Sequence, residues 1–378
     1  MLKRILPLLL AALMLLSSAG AETVLDPTSN RNISILPSGS NPVVDGVSPV
    51  TGRNLMDLAL SAPDGFTGQA VSGRYMPMLV QIDNAGGGVT SKTAGMRAPW
   101  GVEYADVVYE APLYKQGYTR LTFLFSDLIP DDVGPIRSAR LFHAWLREEW
   151  DCGLAYYGQQ EYTATNVPEV FSSTGATQKG VLFNGIVGDS KVWKQYYYRR
   201  EKLADPHDVG VNAAALSTLI PEDHVATDHA WRFTDETPTG GDIANVIHVT
   251  WGVNEDNSIL EYDEDDRAYY RYMLVEAQPI LYKDLDSGAA IAFDNVIVQF
   301  TSMDWVMTDA PKPTVTGSGN ADYFMGGQHF SGVWNRDSLS SPTIFYGEDG
   351  NEIELQRGRT LIIVMDTGVS ARSVSYSE

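Results

Sequence analysis

Two arginines flank a serine where a turn feeds a helix, in the stretch Val133-Gly134-Pro135-Ile136-Arg137-Ser138-Ala139-Arg140. A helix N-terminus already carries about half a positive charge, from aligned peptide dipoles and unpaired N–H groups. Arg137 and Arg140 add charge of the same sign. Ser138 is placed to cap, its hydroxyl accepting a backbone N–H, but Leu141 occupies the third helical position where a glutamate would complete a capping box. An anion resolves the conflict: a carboxylate or phosphate held by N–H groups and a guanidinium fork. The simpler resolution is internal, with Asp83, Asp106 or Glu110, all at strand ends, pairing with the arginines. The ligand-binding set read from the sequence is Arg137, Ser138, Arg140, Asp83, Glu110 and His207.

His207 enters through a second constellation, Asp205-Pro206-His207-Asp208. A proline-fixed loop holds an imidazole between two acids, and an acid beside a histidine raises its pKa and orients it as a base. His207 and Asp208 are therefore the catalytic candidates, against the simpler reading of a capped loop leading to a helix at Asn212. The sequence offers no Gly-x-Ser-x-Gly elbow, no phosphate loop and no dinucleotide fingerprint; Gly86-Gly87-Gly88 follows a strand with no helix after it. No His or Cys spacing fits a metal, and the acidic run Asp263 to Asp266 lacks the glycine and closing glutamate of a calcium loop, so no cofactor or metal is expected. Cys152, the single cysteine, excludes an internal disulfide and reads as a buried, inert thiol.

The elements that must position these residues follow from periodicity. Leu141, Phe142, Trp145, Leu146 and Trp150 share one helical face. Met78 to Ile82, Ala105 to Ala111, Thr119 to Ser126 and Leu154 to Tyr157 read as strands. Val167 to Phe171 and Asn212 to Leu219 read as short helices. The fold class is α+β, with a mixed sheet and packed helices over 75–220 and a β-rich second domain over 242–366. Residues 22–74 read as a polar lead-in, 221–241 as a Pro/Gly-marked linker, and 367–378 as a frayed tail.

Residues 1–21 show a positive start (Lys3, Arg4), an apolar run from Ile5 to Leu16 and a small-residue exit at Ala19-Gly20-Ala21, the pattern of a secretory signal peptide. The apolar run is shorter than a membrane span, and no later stretch is long and apolar enough, so the mature chain is expected to lack a transmembrane segment. The net charge of −21, made more negative by loss of Lys3 and Arg4, excludes nucleic acid as a partner, because such binding needs Lys and Arg to displace counterions. Oligomeric state leaves no mark in the sequence.

Several spaced segments resemble the YerB-like lipoprotein family of Gram-positive bacteria, a domain of unknown function in two halves. They are Ser48-Pro49-Val50-Thr51-Gly52, Met78 to Asn84, Ala105 to Pro112, Thr119-Arg120-Leu121, Val133 to Arg140 and Asp205 to Asp208. Further on come Asp294 to Val298, Gly332 to Arg336 and Gly358 to Ile362, so the resemblance runs from about Ser48 to Asp366. It implies an extracytoplasmic envelope protein and no activity. The family's lipoproteins carry a lipidated cysteine just after the signal; Glu22 stands there in this chain, so lipid anchoring is not carried over. The leading expectation is an exported cell-envelope protein binding an anionic ligand or partner near Arg137 and Arg140. The alternative is a wall-polymer hydrolase or transferase with His207 as general base.

Overall fold

In the strand Met78–Asp83, side chains alternate: Met78, Val80 and Ile82 join one apolar cluster, while Leu79 points to another. Every residue of that strand is buried, the signature of a strand covered on both faces. The computed structural model describes residues 22–378 except 30, 37–40, 42, 85–98, 187–193, 204, 229, 253–256 and 276. The expected signal segment 1–21 and the Gly86–Gly88 turn lie outside the described residues.

The protein is a β-rich α+β fold built on one large mixed sheet. Its strands in chain order are β1 (Met78–Asp83), β2 (Val107–Pro112), β3 (Thr119–Phe125), β4 (Gly153–Tyr156), β5 (Leu182–Asn184), β6 (Asp242–Ile243), β7 (Asn295–Thr301), β8 (Gly317–Met325), β9 (Gln328–Arg336), β10 (Ile344–Gly347) and β11 (Thr360–Asp366). In space the order is β6-β9-β8-β7-β11-β2-β3-β1-β4-β5, with β10 pairing β9. One face packs against a second, seven-stranded antiparallel sheet that includes Val246–Thr250, Ser258–Asp263 and Ala268–Val275. The other face buries Phe142, Leu146 and Trp150 of helix α1 (Leu141–Trp150). Burial pushes the Cys152 thiol up to about 12, which leaves it unreactive at neutral pH.

The two halves expected as separate bodies share this sheet. Strand β11 runs parallel to β7 on one side, from Asn295↔Thr360 to Thr301↔Asp366, and parallel to β2 on the other, from Val107↔Thr360 to Glu110↔Ile363. The stretch 221–241, read as a linker, buries Ala226, Ala230 and Trp231, with Trp231 set against Trp150. The tail read as frayed contains the strand Ser373–Ser377, paired with Val246–Thr250.

The lead-in 22–74 is likewise tied down. Thr23–Val24 adds an edge strand, and Arg31 pairs with the buried Asp322 at 2.9 Å. Ser48 and Thr51 each donate a hydroxyl to the Asp127 carboxylate at 2.6 Å. Next to it, Asp106 accepts the backbone N–H groups of Ser126 (2.6 Å) and Asp127 (2.9 Å). Burial, then the neighbouring Asp127 charge, push the Asp106 carboxyl well above its ordinary range; burial raises Asp127 too. A carboxyl raised in the folded state binds more protons folded than unfolded. Its contribution to stability is present below the unfolded pKa of about 3.9 and is lost as pH rises through the folded value. Asp106→Asn, whose amide oxygen can accept the same two N–H groups, is therefore expected to gain stability over wild type as pH rises from 4 to 8, read by urea unfolding at each pH.

The turn entering the arginine motif is set by a close approach. A Cβ on Gly134 would lie 2.1 Å from Cζ2 of Trp100. That ring is fully buried and fixed, donating to Asp132 at 2.5 Å with the Arg200 guanidinium 3.9 Å above its face. Gly134→Ala is expected to cost about 1–3 kcal/mol, the range for overpacking, as a lower urea midpoint.

Candidate anion-binding site

Residues Pro135 to Arg137 lie alongside the end of β1. Asp83 N–H donates to the Pro135 carbonyl at 2.9 Å, Arg137 N–H to the Gln81 carbonyl at 2.8 Å, and Ile82 bridges Ile136. The register thus sets Arg137 beside Gln81. In the sheet, Asp83 stands directly opposite Arg120 of β3. Directly opposed residues share a face, so Gln81, Asp83 and Arg120 all project toward the side that α1 covers.

At the start of α1 the observed cap differs from the expected one. Ser138 donates its hydroxyl to the Tyr157 carbonyl at 2.9 Å and does not cap. The helix begins at Leu141, Arg140 is the N-cap residue, and His143 Nδ1 accepts the Arg140 N–H at 2.9 Å. The helix starts later than expected because Ala139 is held outside it, donating its N–H to Gly158 at 2.9 Å. Burial, then the charges of Arg120 and Arg140, hold His143 well below the ordinary histidine range. It is a neutral imidazole that accepts at Nδ1 and carries its proton on Nε2.

Three guanidinium groups meet here. Arg120 is only 4% exposed, and its Nε and Nη1 have no hydrogen-bond partner among the described residues. Arg137 Nε and Arg140 Nε also lack a hydrogen-bond partner among the described residues, as does the amide nitrogen of the fully buried Gln81. Among the described residues, Arg140 Nη1 reaches the Ala139 carbonyl at 3.1 Å and that of Ser138 at 3.5 Å. Among the described residues, Asp83 is the one carboxylate within 4.0 Å of any of these three groups, at 3.8 Å from Arg137 Nε. Burial pulls the Arg120 guanidinium down to about 9, with the Arg140 and Arg137 charges adding to the fall and Asp83 opposing it. Burial lowers Arg140 as well. For Asp83, burial raises the carboxyl, but the His207 hydrogen bond and the charges of Arg120 and Arg137 outweigh it and hold the group below its ordinary value.

The Pro-His loop reaches this cluster. Val133 and Ile136 pair with Val211 and Val209, which brings the preceding loop over the site. The Pro206 carbonyl accepts from Arg137 Nη1 at 3.0 Å, and His207 Nδ1 contacts the Asp83 carboxylate. The acids beside His207 in the chain do not orient it. Arg199 takes both, Asp205 at 2.6 Å and Asp208 at 2.7 Å. Asp208 is thus engaged by Arg199 and not by the histidine it follows.

Glu110 is not part of the cluster. It sits one position off the Asp83 row, so its side chain emerges on the opposite face, where it pairs with Arg271 at 2.8 Å. Asp106 lies at the far end of the same strands, beside Ser126. Arg120 and His143 complete the site without having been singled out as ligand residues. The signal for Arg120 was a lone charge inside an otherwise apolar and hydroxyl-bearing strand.

The second half borders the cluster through the hairpin Met303–Met307 and Ala310–Pro313. Thr308 accepts the Lys115 N–H at 2.7 Å, and the Asp309 carboxylate accepts from Tyr162 at 3.1 Å. Asp309 acts on Arg140 only from beyond the 4.0 Å ion-pair distance.

Residues 66–226 match the family model "Protein of unknown function (DUF3048) N-terminal domain", and residues 247–362 match the corresponding C-terminal domain. The chain is 21% identical over 282 residues to "Putative lipoprotein YerB" of Bacillus subtilis (strain 168), covering 74% of this chain and 80% of that protein. A crystal structure of the YerB protein from Bacillus subtilis aligns with a TM-score of 0.65 at 19% identity, covering 87% of this chain and 99% of that one. That likeness is one of fold.

Proposed function

The chain belongs to the two-part DUF3048 family, and from that premise we propose that it is an exported cell-envelope protein that binds an anionic ligand or partner at Arg120, Arg137 and Arg140. The extracytoplasmic setting rests on the secretory pattern of residues 1–21 and on the relative's printed name, "Putative lipoprotein YerB". No helix of the described residues is long and apolar enough to cross a membrane. The single observation that carries the binding reading is Arg120, a buried guanidinium with two nitrogens lacking an acceptor among the described residues. Removing such a group from water is costly unless something negative sits with it.

The test compares retention on sedimented cell envelopes for wild type and Arg137→Ala. The variant is expected to lose at least about tenfold in retention, the value of one charge-assisted hydrogen-bonding group, while its melting temperature stays close to wild type. Unfolding of Arg137→Ala, or unchanged retention, would assign the arginine to structure alone. A second reading, hydrolysis or transfer of a wall polymer with His207 as general base, draws on the Asp83–His207 contact, which fixes one imidazole nitrogen. That reading requires turnover of wall polymer by wild type that disappears in His207→Ala.

A further inference from the structure

Resting on the anion-binding reading, we infer that the group bound at this cluster is a doubly charged phosphoryl group, a phosphate monoester or inorganic phosphate, rather than a carboxylate. Charge and geometry both lead there.

The charge argument is a count. Arg120, Arg137 and Arg140 bring three positive charges, and Asp83 is the one carboxylate within ion-pair distance of them among the described residues. His143, held neutral by burial and by the charges of Arg120 and Arg140, adds nothing. Two positive charges remain without a carboxylate at ion-pair distance among the described residues, Asp309 acting on Arg140 only from farther away. A monocarboxylate would leave one of them bare in a site where burial alone already weakens the protonated form of two arginines. A phosphomonoester dianion cancels both. The chain as a whole carries −21, so this excess is a local arrangement running against the overall field and draws no help from general electrostatic steering.

The geometric argument concerns donors. The unpartnered N–H groups come from four side chains on three elements: Gln81 on β1, Arg120 on β3, and Arg137 and Arg140 around the start of α1. Gln81 and Arg120 are more than nine-tenths buried. These donors sit on a sheet and on the segment that runs beside it, so they are not the two parallel N–H groups of one guanidinium fork. A phosphoryl group offers three oxygens in a pyramid and matches that approach; a carboxylate offers two oxygens in one plane and suits a single bidentate fork. Arg137, a quarter exposed, is the side of the cluster that meets solvent.

Such a phosphoryl group can be carried by a lipid headgroup or by a soluble molecule, and the experiment separates the two. The full mature chain is titrated with inorganic phosphate and with benzoate by calorimetry. It is then sedimented with phosphatidylcholine vesicles, with and without phosphatidic acid. Phosphate is expected to bind at least about tenfold more tightly than benzoate, and Arg120→Gln to weaken phosphate by about tenfold or more. Arg140→Gln serves as the second variant, because its side chain is only partly buried and its loss leaves the sheet intact. Co-sedimentation with phosphatidic acid vesicles alone assigns a lipid-borne phosphomonoester; phosphate binding without co-sedimentation assigns a soluble one. Benzoate binding as tightly as phosphate, with the same dependence on Arg120 and Arg140, overturns the phosphoryl assignment and leaves the anion site standing. Binding of neither probe, or binding indifferent to both substitutions, overturns both.

Discussion

Glu110→Gln is expected to cost about 3–5 kcal/mol of folding stability, the range for stripping one partner from a buried ion pair. Glu110 and Arg271 are both fully buried and 2.8 Å apart. Glu110 belongs to the large sheet and Arg271 to the smaller one, so the pair stitches the two layers across the core. The carboxylate also accepts from Asn84 (3.0 Å) and Thr119 (2.9 Å), which leaves little room for water to rescue an orphaned guanidinium. Arg271 Nε and Nη1 already lack hydrogen-bond partners among the described residues, although the guanidinium lies 5.0 Å from the Tyr282 ring centre. Denaturant unfolding at neutral pH should show the loss as a lower midpoint. The double variant Glu110→Gln/Arg271→Met should recover much of it, because the price of a buried unpaired charge disappears with the charge. A single variant within about 1 kcal/mol of wild type would mean that the pair is solvated in a way its burial denies.

Asp83→Asn is the second large effect, with an expected cost of about 3 kcal/mol. The substitution removes the carboxylate that faces Arg137 at 3.8 Å, stands opposite Arg120 in the sheet and contacts His207. The pH sign follows from its lowered pKa. Wild-type Asp83 contributes stability that is present above the unfolded value of about 3.9 and is lost as pH falls through the lower folded value. The variant should therefore differ from wild type most at neutral pH and converge on it in acid. It also makes the cluster hungrier for an external anion. Because a ligand that binds only the folded state stabilises it by mass action, added phosphate should raise the melting temperature of Asp83→Asn more than that of wild type. Equal responses would detach Asp83 from the guanidinium cluster.

Much of the secondary structure was legible from local pattern. Met78 to Ile82 and Thr119 to Ser126 announced strands through branched and aromatic residues, and the strands run Met78–Asp83 and Thr119–Phe125. The helix expected from the spacing of Leu141, Phe142, Trp145, Leu146 and Trp150 spans Leu141–Trp150, with Trp145 partly buried against the same cluster. The lead-in was misread because its composition is polar and punctuated. Its contacts come from those polar groups, as in Arg31 on Asp322 and Ser48 and Thr51 on Asp127. A polar segment reads as a linker unless its buried partners are known.

The site divides along the same line. Arg137, Asp83 and His207 could be marked from residue type and neighbourhood, and they do come together. Glu110 was grouped with them as an acid at a strand end and Asp208 as the chain neighbour of His207, and both point elsewhere, to Arg271 and Arg199. In an extended strand one residue of offset reverses the face, so type and position alone do not say which side an acid serves.

Short-range chemistry in this chain, the alternation of apolar residues, the Gly-Pro turn and the arginines beside it, sets where strands and helix begin and which charges stand near one another in order. Pairing between distant segments sets the rest: Thr360–Asp366 joins the two halves into one sheet, and the register of Asp83 against Arg120 assembles the guanidinium cluster. The reason is that strand partners are chosen by hydrogen bonding and burial across hundreds of residues, a preference that no window along the chain contains.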